Sequence, residues 1–92
     1  MSVVVRYNPN NVNKQQYDAV RSQLTESGNW PPEGCEMHVC FGSEDNIRVS
    51  EIWESREQFQ SFGEKLQPLL EQADIQLAGE PEVYDALEFD RF

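Results

Sequence analysis

The chain contains a single histidine, His38, and this side chain is the one best suited to proton transfer. An imidazole has an ordinary pKa of about 6.5, so it can accept or donate a proton near neutral pH. The sequence places His38 in mid-strand, with Cys40 beside it and with Arg48 and Ser50 near it across a hairpin. Such a cluster could hold a polar ligand or a water. The alternative is a buried neutral histidine that is hydrogen-bonded for structural reasons alone.

The charge of His38 depends on its neighbours. An arginine such as Arg48 would lower the pKa of the imidazole, whereas a carboxylate such as Glu36 or Glu88 would raise it. A neutral imidazole could serve as a general base, and a charged one would be mainly structural.

Glu51 is a second titratable residue in an unusual position, because it alternates along a predicted strand with Val49 and Trp53. A carboxylate that points into an apolar layer needs a partner or a raised pKa. Three residues could supply the partner, namely Tyr7, Tyr17 and Tyr84. Alternatively, Glu51 could reach the rim of the sheet and be solvated there.

Aromatic residues surround the junction between the third strand and the second helix. Trp53 lies two residues before the predicted helix cap Ser55, so its ring is expected to pack between sheet and helix, against Phe59 or Phe62. The same spacing fits the wall of a ligand pocket. The candidate pocket residues are Tyr7, Arg48, Ser50, Trp53, Phe59 and Phe62. Trp30, which precedes two prolines, could either cover such a pocket or anchor its own loop.

Six elements must position these side chains. The hydrophobic and capping patterns predict strands over residues 3–7, 35–41, 47–53 and 83–89, a helix over 13–27, and a helix beginning at 56 that Pro68 bends or restarts. The order β-α-β-β-α-β is the ferredoxin-like pattern of the α+β class, in which four antiparallel strands carry two helices on one face. We expect a single domain over residues 1–92.

The pairing of the two hairpin strands decides which way His38 points. One strongly apolar sheet face requires an even sum for paired residue numbers and leaves His38 on the opposite face. The hairpin residues that define that apolar face are Met37, Val39, Phe41, Ile47, Val49 and Trp53.

The opposite face is mixed, too apolar to be simply wetted and too polar for an ordinary core. We therefore expect a second copy of the sheet to cover it in a homodimer.

Composition excludes several classes of function. Seventeen acidic and seven basic residues give a net charge of −10, which repels phosphate backbones and anionic lipid surfaces, so neither nucleic-acid nor membrane partners are expected. No apolar run or leader signal is visible, and a cytoplasmic location follows as the expectation. Cys35 and Cys40, five residues apart in one strand, should point to opposite faces and form no disulfide, and with His38 they are too few for a four-ligand zinc site.

Residues 34–39, 47–62 and 66–68 resemble the small dimeric α/β-barrel proteins related to the antibiotic-biosynthesis monooxygenases. The most specific stretch is Trp53-x-Ser55-x-x-x-Phe59-x-x-Phe62, and the similarity covers nearly the whole chain. The resemblance implies a homodimer of ferredoxin-like chains with a pocket between each sheet and its helices. Asn8 resembles an asparagine near that position in active members, although a turn role beside Pro9 fits equally well.

These observations predict that the protein binds a small apolar or aromatic organic ligand between sheet and helices. The alternative is a cofactor-independent monooxygenase that acts on an aromatic or quinol-like substrate, with His38 and Asn8 as polar participants. A purely structural module would instead have a closed core. No cofactor or metal is expected, and heme degradation is disfavoured because residues 55–77 lack the histidine that the heme-degrading branch of the resembling family uses.

Overall fold

The computed structural model describes residues 2–92 and contains two helices packed on a four-stranded antiparallel sheet. The elements are β1 (Val3–Arg6), α1 (Lys14–Glu26), β2 (Cys35–Ser43), β3 (Asn46–Trp53), α2 (Arg56–Gln72) and β4 (Glu82–Asp85). The strands lie in the order β2-β3-β1-β4. This arrangement confirms the predicted α+β, ferredoxin-like fold.

Both helices begin at the predicted caps. Asn13 Oδ1 accepts the backbone N–H of Gln16 at 2.8 Å, and Gln16 Oε1 accepts the N–H of Asn13 at 3.0 Å, which completes a capping box. At α2, Ser55 Oγ accepts the N–H of Gln58 at 3.2 Å. Helix α2 continues through Pro68 to Gln72, so the helix does not restart at the proline.

The pairing of β2 with β3 differs from the sequence prediction. Cys35 pairs with Trp53, but Met37 pairs with Ile52, so one extra residue forms a β-bulge in β2. Beyond the bulge, paired residue numbers add to an odd value, and His38 lies directly opposite Glu51. The even register was therefore wrong, because a one-residue shift moves every following side chain to the other face of the sheet.

The bulge also corrects the prediction for the two cysteines. Cys35 packs on the same cluster as Trp53, and Cys40 packs beside Val49, so both face the helices rather than opposite sides. Five residues of strand nevertheless separate them by about 16 Å, too far for a disulfide. Both thiols are free.

Strand β4 ends earlier than the alternating pattern predicts. It covers Glu82–Asp85 rather than residues 83–89, and Leu87, within the predicted strand but beyond its observed end, is almost fully exposed. The physical reason is the absence of further partner backbone: β4 pairs with β1 alone, and β1 begins at Val3, opposite Asp85.

The core lies between the sheet and the helices. Its largest member is Trp53, which is completely buried, with its ring centroid 5.4 Å from that of Phe62 and 5.8 Å from that of Phe59. A smaller cluster joins Val12, Ile47 and Val49 at the other end of β3. Across residues 2–92, neither helix has the length and apolar character needed to cross a bilayer.

Candidate functional site

A cavity of about 80 Å³ lies between the sheet and the two helices. Its walls are mainly apolar and come from α1, β2, β3 and α2, from the segments on either side of α1, and from the segment that follows α2. Valines, leucines and isoleucines supply most of that surface, among them Val20, Leu24, Leu66 and Leu70. Since 10–15 Å³ is enough for one water, this volume can hold several waters or a small organic group.

Four side chains form a hydrogen-bonded chain from the core to the cavity. Trp53 Nε1 donates to Glu51 Oε1 at 3.0 Å, and the other oxygen of Glu51 lies 2.7 Å from His38 Nδ1. On the far side of the ring, His38 Nε2 lies 2.7 Å from the hydroxyl of Tyr17. Tyr17, His38 and Glu51 are among the residues that line the cavity, so this chain of hydrogen bonds lies directly behind its mainly apolar surface.

The local fold explains how these side chains meet. His38 and Glu51 are direct partners across β2 and β3, and Trp53 lies two residues further along β3 on the same face. Tyr17 comes from the first turns of α1, whose start is fixed by the Asn13 cap. The β-bulge near Glu36 is therefore the feature that brings the histidine to the carboxylate.

Glu51 is the buried member of the pair, with 2% of its surface exposed. An ionised carboxylate can only accept hydrogen bonds, so Nδ1 of His38 is the donor to Glu51 when Glu51 is ionised. In the neutral tautomer that carries this proton on Nδ1, Nε2 accepts from the Tyr17 hydroxyl. A base oriented by a third group in this way is the arrangement of general-base and nucleophilic catalysis.

Tyr7 adds a second hydroxyl to the cavity wall. Its Oη is buried and has no hydrogen-bond partner among residues 2–92. Burial, followed by the charge of nearby Glu51, raises the pKa of the Tyr7 phenol well above its ordinary value. Tyr7 therefore stays protonated and can donate to an oxygen placed in the cavity.

Trp30 lies at the same site, and the structure gives it both of the roles considered from sequence. Its ring stands edge-on to His38, with centroids 4.9 Å apart and an interplanar angle of 89°. It lines the cavity and also packs on the main core cluster. The loop before β2 is thus held against the domain by a side chain that also closes one wall of the cavity.

The structure separates the predicted site residues into three groups. Tyr7, His38 and Phe62 line the cavity. Trp53 and Phe59 lie behind that wall, where Phe59 contacts both Trp53 and Tyr7 edge-on.

The third group lies away from the cavity. Arg48 and Ser50 lie on the open face of the sheet, since they alternate with Val49 and Glu51 along β3, and the bulge in β2 places His38 on the other face. Asn8 is exposed, and its backbone carbonyl accepts the N–H of Ala78 at 2.7 Å.

Two expectations about partners are corrected. The group that contacts His38 Nδ1 is Glu51, not Arg48, Glu36 or Glu88. Glu36 instead accepts a hydrogen bond from Ser2 Oγ at 2.6 Å and pairs with Arg91. Glu51 is buried rather than solvated at a rim, because the imidazole and the indole N–H satisfy its carboxylate there.

Sequence reasoning missed Arg21 altogether, and it named Tyr17 only as a possible partner of Glu51. Both residues line the cavity. The available signal was their spacing: Arg21 follows Tyr17 by one helical turn, on the edge of the apolar stripe that contains Val20 and Leu24.

The remaining nucleophiles and ligating groups do not form a site. Burial, and next the charge of Glu51, raises the pKa of the Cys35 thiol to about 11, and burial also raises the pKa of Cys40. Both are thiols at neutral pH and are weak nucleophiles. Residues 2–92 contain no group of three or more His, Cys, Asp or Glu side chains placed to hold a metal ion.

Comparison with known proteins supports the fold. No protein-family model matches the chain, and no curated protein sequence matches it. A provisionally assigned antibiotic biosynthesis monooxygenase from Chloroflexus aurantiacus J-10-fl superimposes with a TM-score of 0.59 at 18% identity, covering 98% of this chain and 95% of that one. SnoaB, a cofactor-independent oxygenase from Streptomyces nogalater, gives a TM-score of 0.58 at 15% identity, covering 96% and 93%.

A third solved structure gives the same result. A provisionally assigned antibiotic biosynthesis monooxygenase from Caulobacter crescentus CB15 gives a TM-score of 0.55 at 20% identity, covering 95% of this chain and 89% of that one. At these identities the likeness defines the fold. The chain has the ferredoxin-like fold of the antibiotic biosynthesis monooxygenase-like proteins.

Proposed function

We propose that this chain binds a small aromatic organic ligand in the cavity between sheet and helices. The observation that carries the proposal is the convergence of Tyr17, His38 and Glu51 on one wall of an otherwise mainly apolar cavity. Ligand sites typically combine apolar walls with a few polar groups that fix orientation.

The unpartnered hydroxyl of Tyr7 supports this proposal over a closed structural core. Buried polar groups normally have a hydrogen-bond partner, and leaving one unmade costs about 1–3 kcal/mol. Tyr7 Oη is unpaired among residues 2–92, at a cavity large enough to hold a partner. A ligand oxygen would satisfy it.

The test uses 2-naphthol as the probe and one substitution that fills the cavity. Leu66→Phe adds volume at a lining residue, whereas Leu69→Phe adds it to a neighbouring half-buried position of α2 outside the lining. By calorimetry, with folding checked by circular dichroism, we expect Leu66→Phe to weaken binding at least about tenfold and Leu69→Phe to leave it within about twofold. Absent binding to the unmodified chain, or equal binding by both variants, would contradict the proposal.

A catalytic function is the second candidate; it requires a neutral His38 whose ring is oriented by the contact between Nδ1 and Glu51. In this reaction, neutral His38 removes a proton from an activated CH₂ group of a quinol-like or anthrone-like substrate. The resulting carbanion combines with dioxygen, and loss of one water leaves a carbonyl, so CH₂ and O₂ become C=O and H₂O. SnoaB, which shares the fold, is a cofactor-independent oxygenase.

Oxygen uptake with anthrone measures this activity directly. We expect His38→Gln and Glu51→Gln each to lower the rate by about 10²-fold or more, since a positioned base contributes about 10²–10⁴-fold. Glu44→Gln, which removes one exposed carboxylate from the turn between β2 and β3, is the matched control and should keep the rate. Oxygen uptake no faster than in buffer alone would contradict the catalytic function and leave the binding function standing.

We also propose that a second copy of the chain covers the open face of the sheet. Met37, Val39 and Phe41 of β2 are 39%, 39% and 46% exposed there, and Tyr84 of β4 is 51% exposed. A row of apolar side chains on a sheet face normally marks an interaction surface. Light scattering should give twice 10.7 kDa at micromolar concentration, and Phe41→Glu should halve that mass. A 10.7 kDa species for the unmodified chain would contradict the dimer.

A further inference from the structure

Arg21 is a cation at the cavity with no anionic partner in residues 2–92. It lies on α1, lines the cavity, and is half-buried. Its guanidinium carbon lies 3.9 Å from the centroid of the Trp30 ring, so the planar group is held against an aromatic face. Its Nε–H is buried and has no hydrogen-bond acceptor among residues 2–92.

The absence of a carboxylate beside Arg21 is unexpected for this composition. Seventeen acidic residues are available, yet the ion pairs within residues 2–92 join other groups. Glu51 lines the same cavity, but its two oxygens contact Trp53 and His38. A half-buried cation whose donor is left unpaired is costly unless another group completes it.

Other donors point to the same cavity. Tyr7 Oη is the second buried polar atom without a partner, and Tyr17, one turn before Arg21, contributes a hydroxyl. Burial raises the pKa of both phenols, so neither competes with a ligand as an anion. A guanidinium and two hydroxyl groups therefore belong to residues that line the cavity, and they lie just beneath a surface that is almost entirely apolar. These groups complement a negatively charged oxygen.

We infer that the ligand is an aromatic carboxylate, with its ring among the apolar walls and its anionic group bound by Arg21. The inference rests on the proposed ligand-binding function and specifies the ligand class. Arginine suits this role because its fork of N–H donors matches the two oxygens of a carboxylate, and such charge-assisted bonds are roughly twice as strong as neutral ones.

A pair of probes with the same shape and different charge separates the inference from the function on which it rests. The probes are 1-naphthoate, an anion at neutral pH, and 1-naphthamide, its neutral isostere. We expect the unmodified chain to bind 1-naphthoate at least about tenfold more tightly than 1-naphthamide. A hydrogen bond to a charged group is stronger than a neutral one, by an amount equivalent to about tenfold in affinity. Calorimetry at neutral pH and low salt gives both constants.

Substitutions then assign the preference to Arg21. Arg21→Gln should bring the two affinities within about twofold, and Arg21→Lys should keep part of the preference because it retains the charge without the fork. Lys14→Gln is the matched control: Lys14 is another cation of α1, is not among the cavity-lining residues and pairs with Asp18, so this variant should keep the full preference.

The outcomes are distinguishable. Equal affinities for both probes in the unmodified chain would overturn the inference and leave the binding function standing. Binding of neither probe would overturn both. A preference that survives in Arg21→Gln would show that another group binds the anion and would overturn the assignment to Arg21. Should Arg21→Gln fail to fold, a reduced preference in folded Arg21→Lys would support the role of the fork, and an unchanged preference there would contradict it.

Discussion

Strand β2 divides its polar and apolar residues between the two faces of the sheet in the reverse of the usual pattern, whereas β1 and β3 bury apolar side chains such as Val5 and Val49 against the helices. On β2, the side chains that point toward the helices include His38 and Cys40, whereas Met37, Val39 and Phe41 point away from them and are exposed. A strand on the surface of a monomeric domain normally buries its apolar side chains and exposes the polar ones. The proposed ligand site would account for the polar residues on the inner face of β2, and the proposed dimer would account for the apolar residues on its outer face.

The inner face tolerates its polar residues because they satisfy one another. Glu51 has hydrogen-bonding contacts with Trp53 and His38, and His38 has another with Tyr17. The outer face has no comparable network on β2. Its apolar side chains remain accessible, and they are the surface that a second copy would remove from water.

The largest expected effect on stability comes from the centre of the inner face. Trp53→Ala removes a fully buried indole that packs on two phenyl rings and leaves Glu51 without one donor. We expect a loss of about 3–5 kcal/mol in the free energy of unfolding, measured by urea denaturation. An unchanged denaturation midpoint would show that the indole is not part of the core.

A smaller effect is expected from the carboxylate that links the core to the cavity. Glu51→Gln keeps the shape but removes the charge that holds the imidazole N–H, so about 1–3 kcal/mol of stability should be lost. Glu44→Gln, the exposed control, should change stability by less than about 0.5 kcal/mol. Equal effects in the two variants would mean that Glu51 is solvated.

The parts of the fold that could be predicted are those that local sequence determines. The Asn13 and Ser55 caps and the order of the six elements depend on neighbouring residues, and the structure confirms them. The β-bulge near Glu36 depends instead on the face of the sheet where His38 finds a hydrogen-bond partner. No local sequence pattern contains that information. The sequence therefore named His38 as a candidate residue but did not predict its contact with Glu51.

The pH dependence of thiol chemistry tests burial on the inner face without changing the fold. Since burial and the charge of Glu51 raise the pKa of Cys35 to about 11, only a minute fraction is thiolate at neutral pH. In a Cys40→Ser background, the rate of reaction with iodoacetamide should rise about tenfold per pH unit from pH 7 to about 10. A plateau near pH 8.5, as for a free thiol, would contradict the burial of Cys35.

The central claim is that His38 faces the cavity and is held by Glu51, and the pairing of β2 with β3 tests it most directly. Interstrand nuclear Overhauser contacts in the isotope-labelled protein report that pairing for each residue. The structure predicts contacts between the backbones of His38 and Glu51, and of Cys40 and Val49. Direct pairing of His38 with Ser50 or Ile52 would instead place the imidazole on the open face and contradict the account.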